Sequence, residues 1–209
     1  MIVEKIVVGA LATNCYIIAS DKGSKAVVID PGADAPIILE RLRELDLQLG
    51  AIINTHGHHD HTGADRELVD EYQVPVYMGS DDIKIVNDPS ANLSYFTGGT
   101  NCQIETVKGL DDKQILEIDG LKFQTIETPG HTKGSISLRI QNKLFTGDLL
   151  FQGSVGRTDF PSSSYDDLLR SLSKIAELPD ETIIYPGHGP ETVLGEEKRS
   201  NPFLREVVK

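Results

Sequence analysis

Short apolar runs alternate with polar, glycine-containing turns along most of the 209 residues of the chain. Many of these runs are rich in Val and Ile and are bounded by Gly, Asp or Ser, which is typical of strands that follow one another closely. The runs that predict strands lie at 2–9, 14–20, 25–32, 51–56, 74–78, 114–119, 121–128, 135–140, 143–148 and 182–187.

Helical spacing separates some of these strands. Pro36 occupies the first turn of a pattern whose Ile and Leu residues line one face up to Leu45. The segments 63–72 and 164–178 predict two more helices, the second with a Ser or Asp as its N-cap. Between 80 and 113 the pattern weakens, so we expect a loop with at most a short helix there. Strands and helices in both halves favour α/β or α+β layers in one continuous domain spanning 1–209, and we expect the α/β class.

Composition narrows the function classes. Apolar residues make up 39% and charged residues 25%, as in ordinary globular proteins. The net charge of −12, with no basic patch, argues against nucleic-acid binding. The chain has no run long enough to cross a membrane and no signal segment, so we expect a cytoplasmic protein without a membrane partner. Cys15 and Cys102 lack metal-finger spacing and are expected to be small buried residues.

The stretch with the most distinctive chemistry reads NTHGHHDH. Burying that many titratable groups is costly unless a partner compensates them. His56 and His58 are two residues apart and project from one face of an extended segment. Asp60 and His61 diverge from that pair, which favours a second centre beside the first, and His59 is expected to point to solvent. Taken alone, the stretch also fits a solvated His-rich turn.

Three later strand ends carry similar side chains. His131 in TPGH, Asp148 in FTGD and His188 in YPGH each follow an apolar run and a glycine turn. The ends of neighbouring strands meet at one edge, so we expect these residues to converge with NTHGHHDH. Imidazole and carboxylate donors without a thiolate suit zinc, and also iron or manganese. Seven donors are too many for one tetrahedral ion, whereas two divalent ions that share Asp148 account for them. The candidate donors are His56, His58, Asp60, His61, His131, Asp148 and His188.

The pattern T-H-x-H-x-D-H with the three later donors resembles the metallo-β-lactamase superfamily, and within it the glyoxalase II-like hydrolases. The resemblance runs from VVIDPG through GHGPET to NPFLR. It implies a four-layer αββα sandwich with a dinuclear site at one edge of the paired sheets. Carried over to this chain, it implies two ions bridged by Asp148, the first held by His56, His58 and His131, and the second by Asp60, His61 and His188.

The resemblance implies a metal-dependent thioester hydrolase of the hydroxyacylglutathione (S-lactoylglutathione) type, in which a hydroxide between the metals attacks the carbonyl carbon. Asp60 and Asp148 are then the catalytic candidates. Arg157 is our candidate for anchoring an anionic part of the substrate, with a surface ion pair to Asp159 as the competing interpretation. Asp30 is either an acceptor for a ligand imidazole or the cap of its turn.

Other functions of the superfamily are weighed by three features of the sequence. Cysteine usually replaces Asp148 in the β-lactamases of this superfamily, which argues against antibiotic hydrolysis. The chain resembles a short form that lacks the C-terminal helical domain with which glyoxalase II binds glutathione. The stretch GRTDF, which begins at Gly156, also occurs in persulfide dioxygenases. In those enzymes one iron is held by the counterparts of His56, His131 and Asp148, so a glutathione persulfide dioxygenase is the alternative function.

A metal-binding or redox-partner module without catalysis is a third class of function. Tyr95 and Phe96, in the weakly patterned stretch, either tether that loop or line the mouth of the substrate site. The physiological metal, the acyl group, the thiol carrier and the oligomeric state are left open by the sequence.

Overall fold

A computed structural model describes residues 1–99 and 104–208, and it contains two six-stranded sheets. In the first sheet, the three N-terminal strands are antiparallel and the following strands are parallel. Its strands, hydrogen-bonded in chain order, are β1 (Ile2–Val8), β2 (Thr13–Ala19), β3 (Lys25–Ile29), β4 (Gln48–Ile53), β5 (Val76–Gly79) and β6 (Val107–Leu110).

The second half of the chain forms the other sheet and a small ribbon. The strands, in chain order, are β7 (Ile115–Ile118), β8 (Leu121–Glu127), β9 (Ile136–Ile140), β10 (Lys143–Gly147), β11 (Leu150–Phe151), β12 (Ser154–Val155), β13 (Ile183–Pro186) and β14 (Thr192–Val193). Strands β11 and β12 pair with each other, and the other six are arranged in the order β14-β13-β10-β9-β8-β7.

Helices connect and cover the two sheets. They are α1 (Ala35–Glu44), α2 (His59–Thr62), α3 (Asp65–Tyr72), α4 (Ser94–Thr97), α5 (Tyr165–Ala176), α6 (Leu194–Ser200) and α7 (Pro202–Val207), with a 3₁₀ turn at Ser80–Asp82. No helix in the described ranges is long and apolar enough to cross a membrane.

Strand β2 shows how the sequence sets the layers. All seven of its residues are buried, because the strand is covered on both faces. Ile17 packs with Ile38 and Leu42 of α1, whereas Tyr16 and Ile18 lie in the cluster between the two sheets. A third apolar cluster joins α5, α6 and α7 to the outer face of the second sheet. The four-layer αββα sandwich predicted from the sequence is therefore confirmed.

Several short elements of the fold were not predicted, among them α2, β11, β12 and β14. Strand β6 lies in the stretch that we expected to be a loop; it is four residues long, contains a glycine and buries only Leu110 well. The C-terminal helices α6 and α7 were not predicted, because each is too short to show a clear helical period. The cysteine expectation holds for Cys15, which is buried, whereas Cys102 lies outside the described residues.

Asn201 connects this C-terminal region to the ribbon. Its Oδ1 accepts from the backbone N–H groups of Phe203 and Leu204 and so caps α7. Its Nδ2 donates to the carbonyl oxygens of Phe151 and Ser154 and to the Glu197 carboxylate. The side chain is fully buried.

We expect Asn201→Ala to lower the free energy of unfolding by about 2–3 kcal/mol, since it removes a cap and leaves buried acceptors without a donor. Urea unfolding of the metal-loaded protein measures this change. Ser200→Ala is the matched control, because the exposed Ser200 hydroxyl bonds only to the Glu196 carbonyl. Equal effects of the two substitutions would contradict the role given to Asn201.

Candidate metal centre

The predicted donors come together at one edge of the sandwich. Strands β8, β10 and β13 run in the same direction, because β9 is antiparallel to both β8 and β10 and β13 is parallel to β10. Their C-terminal ends therefore meet at this edge, and so does the segment after β4. His56 and His58 follow β4, Asp60 and His61 lie on α2, and His131, Asp148 and His188 follow β8, β10 and β13.

Hydrogen bonds between the sheets hold this edge together. The backbone N–H of Asn14 donates to the Gly187 carbonyl at 2.7 Å, and the Tyr16 hydroxyl donates to the Pro186 carbonyl at 2.7 Å. On the other side of the centre, the N–H of Ile136 donates to the Thr55 carbonyl at 2.8 Å. Donors from different sheets are thereby held at fixed positions.

Three histidines form the first group of donors. His58 Nδ1 lies 3.1 Å from His56 Nε2 and 2.9 Å from His131 Nε2. All three rings are buried, and their nitrogens lie close enough together to hold one metal ion.

The hydrogen bonds of the outer ring nitrogens of His56, His61 and His131 bear on which inner nitrogens can bind a metal. His131 Nδ1 donates to the Arg157 carbonyl at 2.8 Å, and His61 Nδ1 donates to Asp30 Oδ2 at 2.9 Å. The Thr55 hydroxyl donates to Asp30 Oδ2, so it accepts from His56 Nδ1 at 3.2 Å. A neutral imidazole carries one N–H, and the inner nitrogens of His56 and His131 therefore keep their lone pairs for a metal.

The second group contains a carboxylate. Asp60 Oδ2 lies 3.4 Å from His188 Nε2 and 3.6 Å from His61 Nε2. Asp148 lies between the two groups: its Oδ1 is 3.4 Å from His61 Nε2, and its Oδ2 is 3.5 Å from His131 Nε2. Asp148 thus faces each group with a different oxygen, as a bridging ligand would.

The residues present fit a pair of divalent ions. In the described part of the chain, His61 Nε2 and Asp148 Oδ1 are buried atoms without a hydrogen-bond partner. Buried polar atoms of this kind require an explanation, and a cation between them provides one. Nitrogen and oxygen donors without sulfur suit zinc, iron or manganese.

Burial and the neighbouring charges set the protonation of the donors. Burial lowers the pKa of His58 to about 3, so its ring is neutral at pH 7. Burial alone would raise the pKa of Asp60, but His61 and His188 hold it well below its usual value, and the carboxylate stays ionised. Burial would lower the pKa of His61, but Asp60 and Asp30 outweigh it and raise that pKa. A divalent ion replaces the proton that these carboxylates attract.

The expectation that His59 points to solvent is wrong. The residue is only 8% exposed, and its Nε2 lies 2.6 Å from the Thr97 hydroxyl. A Cβ at Gly99 would collide with the ring, so the backbone there lies directly against it. His59 therefore holds the segment around α4 next to the centre. The residues it contacts are about 40 positions away, which is why local spacing gave no sign of this role.

Arg157 lies in the wall of the cavity above the donors, which has a volume of about 810 Å³. Its guanidinium makes two hydrogen bonds to Asp159, at 2.7 and 2.9 Å, and lies over the Phe160 ring at 4.6 Å. Its role as a substrate anchor stays a prediction. The sequence reasoning missed the part played by the Arg157 carbonyl, which fixes the His131 ring.

Asp82 is a further residue that the sequence reasoning missed. It is buried, and its Oδ2 accepts from the Gly57 N–H and the Thr132 hydroxyl, while its Oδ1 accepts from the Gly134 N–H. It thus ties the loop between His56 and His58 to the loop after His131. Asp82 lies in the stretch expected to be a loop, and its partners are 25 to 52 positions away.

The sequence of this chain is similar to those of known proteins. The family described as the metallo-beta-lactamase superfamily matches residues 8–188. Hydroxyacylglutathione hydrolase GloC of Haemophilus influenzae is 39% identical to this chain, and the match covers 98% of each protein.

Solved structures extend this comparison. BLEG-1 B3 metallo-beta-lactamase has a TM-score of 0.90 and 37% identity, covering 97% of this chain and 99% of that one. TTHA1623 in a di-iron-bound form has a TM-score of 0.87 and 34% identity, covering 96% and 99%. ETHE1 from Myxococcus xanthus has a TM-score of 0.78 and 32% identity, covering 97% and 84%.

We expect Asp30→Asn to weaken binding of one metal ion by about 10- to 100-fold, because the carboxylate orients both His61 and Thr55. Titration of the metal-free protein, followed by metal analysis, measures the change in stoichiometry and affinity. Asp34→Asn is the control from the same segment, since Asp34 accepts only from the Gly9 N–H. Metal affinity equal to that of the unaltered protein would refute the role of Asp30.

Proposed function

The chain belongs to the metallo-beta-lactamase superfamily, and we propose that it is a metal-dependent hydrolase that cleaves hydroxyacylglutathione thioesters such as S-lactoylglutathione. The observation that carries the proposal is the pair of donor groups on either side of Asp148. The 39% identity to hydroxyacylglutathione hydrolase GloC over nearly the whole chain supports the substrate class.

The donors would hold two divalent ions, with Asp148 facing both groups. The first group consists of His56, His58 and His131, and the second of Asp60, His61 and His188. Bound divalent ions supply a water of lowered pKa and a positive charge for the carbonyl oxygen. Zinc suits this donor set, and iron or manganese are the alternatives, with the di-iron-bound TTHA1623 in favour of iron.

The chain's own residues keep these donors in their binding states. Asp30 and the Arg157 carbonyl hold the imidazoles of His61 and His131 by their outer nitrogens. Asp60 and Asp148 stay ionised because the facing imidazoles lower their pKa values despite burial. A thioester suits this arrangement because a thiol is a far stronger acid than water, so the thiolate leaves without a separate general acid.

A second candidate is the glutathione persulfide dioxygenase, with a single iron held by His56, His131 and Asp148. The structural likeness to ETHE1 of Myxococcus xanthus favours this candidate. His131 Nε2 and Asp148 Oδ2 lie 3.5 Å apart, and both residues also belong to the donor set of the hydrolase proposal. Metal content and oxygen uptake separate the two candidates.

We expect the protein to bind about two divalent ions per chain and to lose S-lactoylglutathione hydrolysis when a chelator removes them. Loss of thioester absorbance follows the reaction, and added zinc, iron or manganese should restore it. Asp60→Asn should lower kcat by at least about 100-fold, because it removes a ligand. Asp166→Asn, on the exposed face of α5, is the control and should retain full activity. Absence of turnover with all three metals would refute the proposal.

The iron-loaded protein, supplied with glutathione persulfide in an oxygen electrode, should consume no oxygen if the hydrolase proposal holds. One iron per chain together with oxygen uptake would instead establish the dioxygenase. A chromogenic cephalosporin tests the lactam hydrolysis suggested by the likeness to BLEG-1. We expect no cleavage of this compound.

A further inference from the structure

The walls of the cavity above the metal donors are largely apolar. Its floor consists of donors from both groups, and its volume of about 810 Å³ is in the range of small-molecule sites. The apolar wall residues include Leu11, Leu93, Phe96, Phe151, Val155 and Phe160.

Apolar side chains flank both donor groups. The Phe160 ring lies 5.5 Å from the His58 ring and 5.7 Å from the His131 ring, between centroids. The Phe151 ring lies 6.1 Å from the ring of His188, in the second group. A molecule that reacts between the two groups therefore meets an apolar wall in either direction.

The walls offer little to a charged substituent. Arg157 is the one Lys or Arg among the described residues that line the cavity, and both hydrogen bonds of its guanidinium to Asp159 are already formed. Breaking that pair to bind an anion exchanges one ion pair for another and gains little free energy. Apart from Arg157, the positive charge available to an anion in this cavity would come from the metal ions at the floor.

Two wall residues are exposed although they are large and apolar. Phe96 is 72% exposed and Leu11 is 49% exposed, and they belong to different halves of the mouth, Phe96 on α4 and Leu11 in the turn between β1 and β2. An apolar group that enters the cavity would bury both, which contributes favourably to binding. Tyr95, next to Phe96, is equally exposed but does not line the cavity.

We infer that the cavity selects thioesters that carry an apolar substituent, such as a medium-length aliphatic or an aromatic group, over the compact hydroxylated lactoyl group. The inference rests on the proposed thioester hydrolysis and names its substrate class. In that reaction water forms the new carbon–oxygen bond, the carbon–sulfur bond breaks, and the thiolate leaves with the electron pair. The products are a carboxylate, a thiol and a proton.

Non-hydrolysable thioethers test the apolar site without relying on turnover. S-methyl-, S-butyl- and S-hexylglutathione are titrated into the metal-loaded protein by calorimetry. Affinity should rise about three- to fourfold per methylene, and so at least about 100-fold from methyl to hexyl. Equal affinities across the series would overturn the inference.

Substitutions at the mouth test which residues form the site. Phe96→Ser should weaken S-hexylglutathione binding about tenfold and S-methylglutathione binding less than twofold, and Leu11→Ser should act in the same direction. Tyr95→Ser is the matched control and should leave both affinities within twofold. An equal loss for both probes in Phe96→Ser would overturn the assignment. All three residues are exposed, so the variants are expected to fold.

Turnover distinguishes the two sides of the thioester. One series varies the acyl chain on glutathione from acetyl to hexanoyl, and the other varies an alkanethiol carrier of the lactoyl group. A rise of kcat/KM with chain length in either series supports the inference and assigns the apolar walls to that side. If S-lactoylglutathione is hydrolysed and neither series rises, the inference fails while the proposed function stands. If affinity rises in calorimetry but no thioester is hydrolysed, the proposed function fails instead.

Discussion

The centre depends on imidazole rings whose outer nitrogens are bound to fixed oxygen atoms. His61 donates to Asp30, His131 to the Arg157 carbonyl, and His56 to the Thr55 hydroxyl, which Asp30 holds in turn. The bonds of His56 and His131 settle which nitrogen of each ring keeps its lone pair, and both inner nitrogens face His58 Nδ1 across about 3 Å. Without these acceptors, the rings of His56, His61 and His131 would lose the bonds that fix their orientation.

The fold provides the acceptors and donors from distant parts of the chain. Parallel β8, β10 and β13 bring three donors to one edge, and the bond from Ile136 to Thr55 joins that edge to the first sheet. Asp82 adds a second link between the loops. The hydrogen bonds between the two sheets therefore help to set the distances within the centre.

The sequence predicted the parts that depend on local patterns. Runs of Val and Ile bounded by Gly, Asp or Ser located nearly all long strands, and the spacing in NTHGHHDH indicated two diverging pairs of donors. It could not locate contacts between residues far apart in the chain. Asp82 looked like part of a loop because its partners, Gly57, Thr132 and Gly134, are all distant in the sequence. His59 looked solvent-exposed because Thr97, its partner, lies in a weakly patterned stretch. Helix α7 packs against α5, and α6 packs against α7 and β14, which no local period reveals.

The net charge of −12 describes the surface of the protein rather than its site. Two divalent ions would bring four positive charges to a centre whose carboxylates are Asp30, Asp60 and Asp148. Apolar walls exclude water and so lower the effective dielectric constant, which strengthens the electrostatic interactions of those charges. The carbonyl oxygen and the departing thiolate are the parts of a thioester on which negative charge develops, and both belong at the floor. An apolar substituent carries no such charge and is left to Phe96, Phe160 and Phe151. The charged floor would thus bind the reacting group, and the apolar walls would bind the substituent. Because the charge at the floor is set locally, an acidic protein can act on a substrate that forms anions.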